Sequence, residues 1–159
     1  MNMDISLHIN ETISLLSSAE LAFTGQFIFS GLLALIFAYI IGRDRERKEK
    51  PAGIVTHAFV ILGSLMFTML SQLDPVNPAR IAANIVTGIG FLGAGMILKS
   101  DDKVENLTTA AGVWVSAAIG MALGYKMYIV ACVAVFMMFM ARFLPHPYRE
   151  KNRGKKEDS

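Results

Sequence analysis

Few side chains in this sequence combine the type and spacing that chemistry requires, and most gather around two chain junctions. Asp44, Arg45 and Glu46 close one apolar run, His57 lies early in the next, and Thr108 and Thr109 open a later one. Carboxylates offer oxygen ligands to a hard cation such as Mg²⁺, and an imidazole can carry a proton near neutral pH. Here the two carboxylates sit among arginines, which weakens them as cation ligands. An imidazole embedded in an apolar segment needs a polar partner, and Asp44 or Glu46 is the expected one. A second pair, Arg80 and Asn84, stands one helical turn apart, with Asp74 and Asn77 just upstream. It reads either as an arginine reaching for the membrane interface or as an external polar site.

Two other patterns look chemical and are not. Gly88-Ile-Gly-Phe-Leu-Gly93 matches GxGxxG, but the dinucleotide fingerprint needs a strand before it and an acidic residue about twenty positions on, inside a βαβ unit. Both flanks here are apolar runs of membrane-spanning length. Asp101 and Asp102 are adjacent loop carboxylates, which read as solvated. His8 and His146 lie in predicted termini and Cys132 lies inside an apolar run, so no nucleophile and base, metal-ligand cluster or cofactor signature emerges. Neither an enzyme nor a bound cofactor is expected.

The elements that must carry these residues follow from composition. Of 159 residues, 53% are hydrophobic and 18% charged, and the mean hydropathy of +0.47 is that of a membrane protein. The expected fold is all-α, a polytopic transmembrane helical bundle of about five spans. Residues 21–42, 54–73, 80–98, 107–124 and 125–144 are the spans. Residues 1–20 are read as an extracytoplasmic segment forming a short interfacial helix, and 145–159 as a disordered charged tail. The first twenty residues hold no lysine or arginine, so no signal peptide is expected. Thr108 or Thr109 is the expected cap of the fourth span, and 99–106 a polar loop.

Small residues recur at helical spacing. Ser30, Ala34, Ala38 and Gly42 mark one face of span one, and Gly112, Ser116, Gly120 and Gly124 one face of span four. Span three holds Gly88, Gly90, Gly93 and Gly95. Each costs about 1 kcal/mol against alanine in a helix, so either close packing, with span four's stripe as partner, or a break lining a polar cavity must offset the loss. In span two, His57, Ser64, Thr68 and Ser71 share a face that should look toward protein or water. Five lysines and arginines follow span one, two follow span three and six end the chain, while only Arg80 and Lys126 fall on the other side. The N-terminus is therefore expected outside and the C-terminus in the cytoplasm. The net charge of +2 reflects this topology, and no nucleic-acid partner is expected.

Three blocks, GRDRERKEKPAGIVTHAFVILGSLMFT, DPVNPARIAANIVTGIGFLGAGMIL and VENLTTAAGVWVSAAIGMALG, resemble in order and spacing the signatures of the MgtC/SapB family of bacterial membrane proteins. The resemblance spans about residues 25–145. It implies a multi-pass protein of the bacterial plasma membrane, with some members linked to growth at low magnesium and to survival in host cells. It also places Asp44, Arg45, Glu46, the PAG-x-x-TH block through His57, Arg80, the glycine run and Leu107 to Ala111 in the family pattern. Val55 stands where arginine is frequent and Asn84 where glutamine is common, and many members add a soluble C-terminal domain. The function expected is helix–helix interaction with itself or another membrane protein in ion homeostasis or stress survival. The alternative is a cation channel or transporter with a path lined by spans two and three.

Overall fold

The structure, a computed structural model, describes residues 2–100 and 103–144. The tail at 145–159 and the pair Asp101 and Asp102 lie outside the described residues. Five helices are present: α1 (Asn2–Arg47), α2 (Ile54–Ser71), α3 (Arg80–Met96), α4 (Leu107–Gly124) and α5 (Tyr128–Met140). Two short strands, β1 (Leu98–Ser100) and β2 (Lys103–Glu105), join α3 to α4, and a 3₁₀ turn, Ala141–Phe143, follows α5. The fold is therefore the expected all-α bundle.

The boundaries differ from the expectation in three places. The N-terminal segment is continuous with span one, because no glycine or proline precedes Gly25 to interrupt the backbone. The expected polar loop at 99–106 contains an antiparallel strand pair with Lys99 opposite Val104, which shortens α3 to Met96. Lys126 adopts a positive φ of 60°, so α5 starts at Tyr128 rather than at 125. Three stretches, Ser17–Arg47, α2 and α4, are long and apolar enough to cross a membrane. At 17 and 13 residues, α3 and α5 are apolar but shorter, about 25 and 20 Å.

Successive helices run in opposite directions, and α4 sits against α2, α3 and α5 while α1 covers α2. The main core joins Ala34, Phe37, Ala38 and Ile41 of α1 with Ile61, Leu65 and Met69 of α2, Ile119 and Leu123 of α4, and Ala131 and Val135 of α5. Small residues allow these contacts. Ser30, Ala34 and Ala38 are fully buried, and a methyl group on Gly42 would collide with the backbone of Ile54. On α4, a methyl on Gly120 would collide with the Ile61 carbonyl, and one on Gly124 would lie 2.6 Å from Thr68 Cβ. The stripe of α4 thus closes on α2. The expected pairing of that stripe with span three is corrected: α3 meets a different face of α4, through Ile89 against Val113 and Ala117. Two faces are needed because α4 is central, and its stripe is spent where the backbones approach most closely.

Candidate functional site

The polar side chains cluster at the two ends of the bundle, and each cluster is built by a chain reversal. After α1 the backbone turns through Lys48 N–H to Arg45 O at 3.1 Å and Lys50 N–H to the same oxygen at 3.0 Å. Glu49 and Ala52 take positive φ to complete the turn. The reversal brings Glu46 onto the first turn of α2, where Oε1 accepts the Ile54 N–H at 2.9 Å. Gly53 offers no side-chain cap, so a carboxylate from the preceding helix satisfies the free amide at the positive end of α2. A Cβ at 53 would lie 2.8 Å from Glu46 Cγ, so any larger residue there must displace the Glu46 side chain from the α2 terminus.

Arg45 spans the same end. It donates through Nη2 to Thr109 Oγ1 of α4 and through Nε to the Pro51 carbonyl at 3.4 Å, tying α1, the turn and α4 together. Deeper in the bundle His57 is fully buried, with Nδ1 2.7 Å from Ser116 Oγ. The Ser116 hydroxyl donates to Gly112 O at 3.0 Å, so its single proton is committed and His57 Nδ1 carries the hydrogen. Its other ring nitrogen, Nε2, has no hydrogen-bond partner among the described residues. The expected carboxylate partner is corrected. Glu46 is drawn to the α2 terminus and Asp44 pairs with Lys48 of the following turn at 3.0 Å, while Ser116 of α4 reaches the ring. Thr109 is buried and Thr108 is exposed. Neither caps α4, whose N-cap is Asn106 in the left-handed conformation with no side-chain bond.

The other end is organised by α2's last residue. Ser71 Oγ donates to Pro78 O at 2.8 Å and accepts the N–H groups of Ile81 and Ala82 at 3.2 and 3.1 Å. It substitutes for the cap that Ala79 cannot supply to α3. Asp74 Oδ1 accepts from Val76 and Asn77 N–H at 3.0 and 3.1 Å. Oδ2 meets Arg80 Nη2 at 3.4 Å. The Asn77 and Val76 amides, followed by the Arg80 guanidinium, hold this carboxyl below the usual carboxylate range. Arg80 and Asn84 do not join side chains: Asn84 Nδ2 donates to the Arg80 carbonyl at 3.0 Å on its own helix. Gln72 and Gln26 both donate to Gly124 O, at 2.9 and 3.4 Å, linking α1, α2 and α4.

The glycine run of α3 is an unbroken helix. A Cβ added at Gly93 would lie 3.8 Å from Ala110 Cβ, while at Gly88, Gly90 and Gly95 it would meet no atom of the described residues beyond its own helical turn within 4 Å. Gly112 lies under Met138 and beside Arg45. Between α2 and α3 runs an apolar groove of about 480 Å³ whose polar groups are Ser64 and Asn84, with Gly63 and Gly88 on opposite walls. Among the described residues no three His, Cys, Asp or Glu side chains gather to hold a metal ion. The bridging roles of Ser71, Gln26 and Gln72 escape sequence reasoning. The visible signal is a polar residue at the end of an apolar run just before a proline-rich turn.

Residues 32–150 match the MgtC family. YhiD of Escherichia coli K12, whose name describes it as a candidate magnesium transporter, is 44% identical over 115 residues, covering 66% of this chain and 54% of its own. Protein MgtC of Salmonella typhimurium is 39% identical over 119 residues, 74% of this chain and 52% of its own. An uncharacterized Haemophilus influenzae protein is 38% identical over 144 residues, 82% of this chain and 60% of its own. The chain spans about half the length of the curated relatives it matches, and no solved structure matches it. With a family match across most of its length and three helices long and apolar enough to cross a bilayer, this chain is a membrane protein belonging to the MgtC family.

Proposed function

We propose that the chain is a non-enzymatic protein of the bacterial plasma membrane that acts by pairing its helices with a second copy or another membrane protein. Magnesium homeostasis or stress survival is the setting, in keeping with the YhiD name. One contrast carries this reading. The glycines of α4 are consumed within the bundle, whereas Gly88 and Gly95 of α3 stay open, with no atom of the described residues beyond their own helical turn within 4 Å of an added Cβ. An open glycine gives up helix stability with no contact in return, unless a backbone from outside approaches it.

The second reading, a cation path between α2 and α3, is favoured by the groove that holds Ser64 and Asn84. Against it, His57, Thr68 and Ser71 are fully buried, with His57 and Ser71 in hydrogen bonds and Thr68 against Gly124 of α4. The groove wall is otherwise Phe59, Val60, Phe67, Ile81, Ile85, Ile89 and Leu92, and offers little to a hydrated ion. Purified protein in liposomes separates the two. The pairing reading expects no selective cation flux; flux that is abolished by changing His57 or Asn84 would overturn it.

A further inference from the structure

We infer that α3 is the seam of a parallel homodimer in which the Asn84 side-chain amides of two copies pair with each other. The inference rests on the helix-pairing reading above and names its partner and face.

Two faces of α3 have opposite fates. Ala82, Ile89 and Gly93 are buried, the last two against α4. Asn84, Gly88, Phe91 and Gly95 are exposed and follow one another at intervals of four, three and four residues, the spacing of a heptad seam. Two of the four are open glycines, so a second helix can approach along this line without displacing anything in the chain. Gly90, also open, lies off this register.

Asn84 identifies the occupant. It sits one turn inward from Arg80, about 6 Å along the axis, on an apolar helix. Its Nδ2 reaches the Arg80 carbonyl, while Oδ1 and the remaining amide hydrogen have no partner among the described residues. A lipid chain cannot satisfy an amide. A second Asn84 can, because a carboxamide carries both a donor and an acceptor, and two of them bond reciprocally about a two-fold axis. An axis along the membrane normal keeps both copies in the same orientation and brings the two Asn84 residues to the same depth. A single asparagine in a seam also sets register and oligomer state. Beside the seam, the groove with Asn84, Gly88 and Leu92 on its α3 wall and Gly63 on its α2 wall receives the second copy's Phe91, which is 81% exposed.

The test uses the full chain in membrane vesicles, with Cys132→Ser and single cysteines placed along α3. Oxidation is expected to give adducts of twice the chain mass from Gly88→Cys, Phe91→Cys and Gly95→Cys, and none from Ala82→Cys, Ile89→Cys or Gly93→Cys. In liposomes, energy transfer between labelled copies is expected to show association weakened roughly 3- to 30-fold by Asn84→Leu and retained by Asn84→Gln. Gly88→Leu, which meets open space within one chain, should abolish association while leaving the helical signal intact. Absence of seam adducts, or equal adducts from both faces, would overturn the seam. Adducts of a different mass would overturn the second copy as partner while leaving helix pairing in place; the pairing reading itself falls only by the flux experiment.

Discussion

Two glycine-to-alanine changes in neighbouring helices should move stability in opposite directions. Replacing glycine by alanine in a helix gains about 1 kcal/mol when nothing else changes. Gly90→Ala meets that condition, with no atom of the described residues beyond its own helical turn within 4 Å of the new methyl and a position off the α3 seam. At Gly120 the methyl collides with the Ile61 carbonyl oxygen and lies 2.8 Å from Ser64 Cβ and 3.1 Å from Ile61 C. A backbone carbonyl cannot rotate away as a side-chain tip can, so α2 must move on the order of 1 Å from α4, at the upper part of the usual overpacking cost, about 3 kcal/mol. The net expectation is a loss of about 2 kcal/mol for Gly120→Ala and a gain of about 1 kcal/mol for Gly90→Ala. Detergent-solubilised protein titrated with SDS, followed by far-UV circular dichroism and by the fluorescence of the single tryptophan, Trp114, reads both. If Gly120→Ala withstands as much SDS as Gly90→Ala, the close α2–α4 approach described above is wrong.

Ser116→Ala removes the buried acceptor of His57 Nδ1–H and should cost about 1–3 kcal/mol in the same titration; the double change with His57→Leu should recover part of it, since both polar partners are then gone. Glu46→Gln keeps an acceptor for the Ile54 amide but loses the charge at the α2 terminus, about 0.3–1 kcal/mol. Faster amide exchange confined to the first turn of α2 is the signature, and exchange spread over the whole bundle would count against it. Asp74 has its carboxyl held low by the Asn77 and Val76 amides. A depressed carboxylate contributes above its unfolded value and loses that contribution as pH falls through its folded one. Asp74→Asn should therefore be less stable than the parent near neutrality and converge with it in acid below the carboxylate range; a gap that stays constant with pH would refute this.

A residue type acts locally on the chain before any neighbour is in place. The apolar runs, the turn at SQLDPVNP and the buried polar face of α2 are legible, because hydrophobicity, proline and helical period act locally. The continuous α1 was less legible, since charged and apolar residues alternate before Ser17 without a breaker. The strand pair after α3 is too short to stand out from a polar loop.

By itself, the sequence determined the all-α membrane class, the order of the helices and the positions where small residues let backbones meet. It could not assign partners. Gly88 and Gly120 both sit in the middle of apolar helices, yet one is open and the other is jammed against a carbonyl. His57 passes over nearby carboxylates for Ser116, 59 positions away, because Glu46 is already held by the α2 amide. Contact is a property of two surfaces, and only the tertiary arrangement decided that α4 would spend its stripe on α2 and leave the open face of α3 outward.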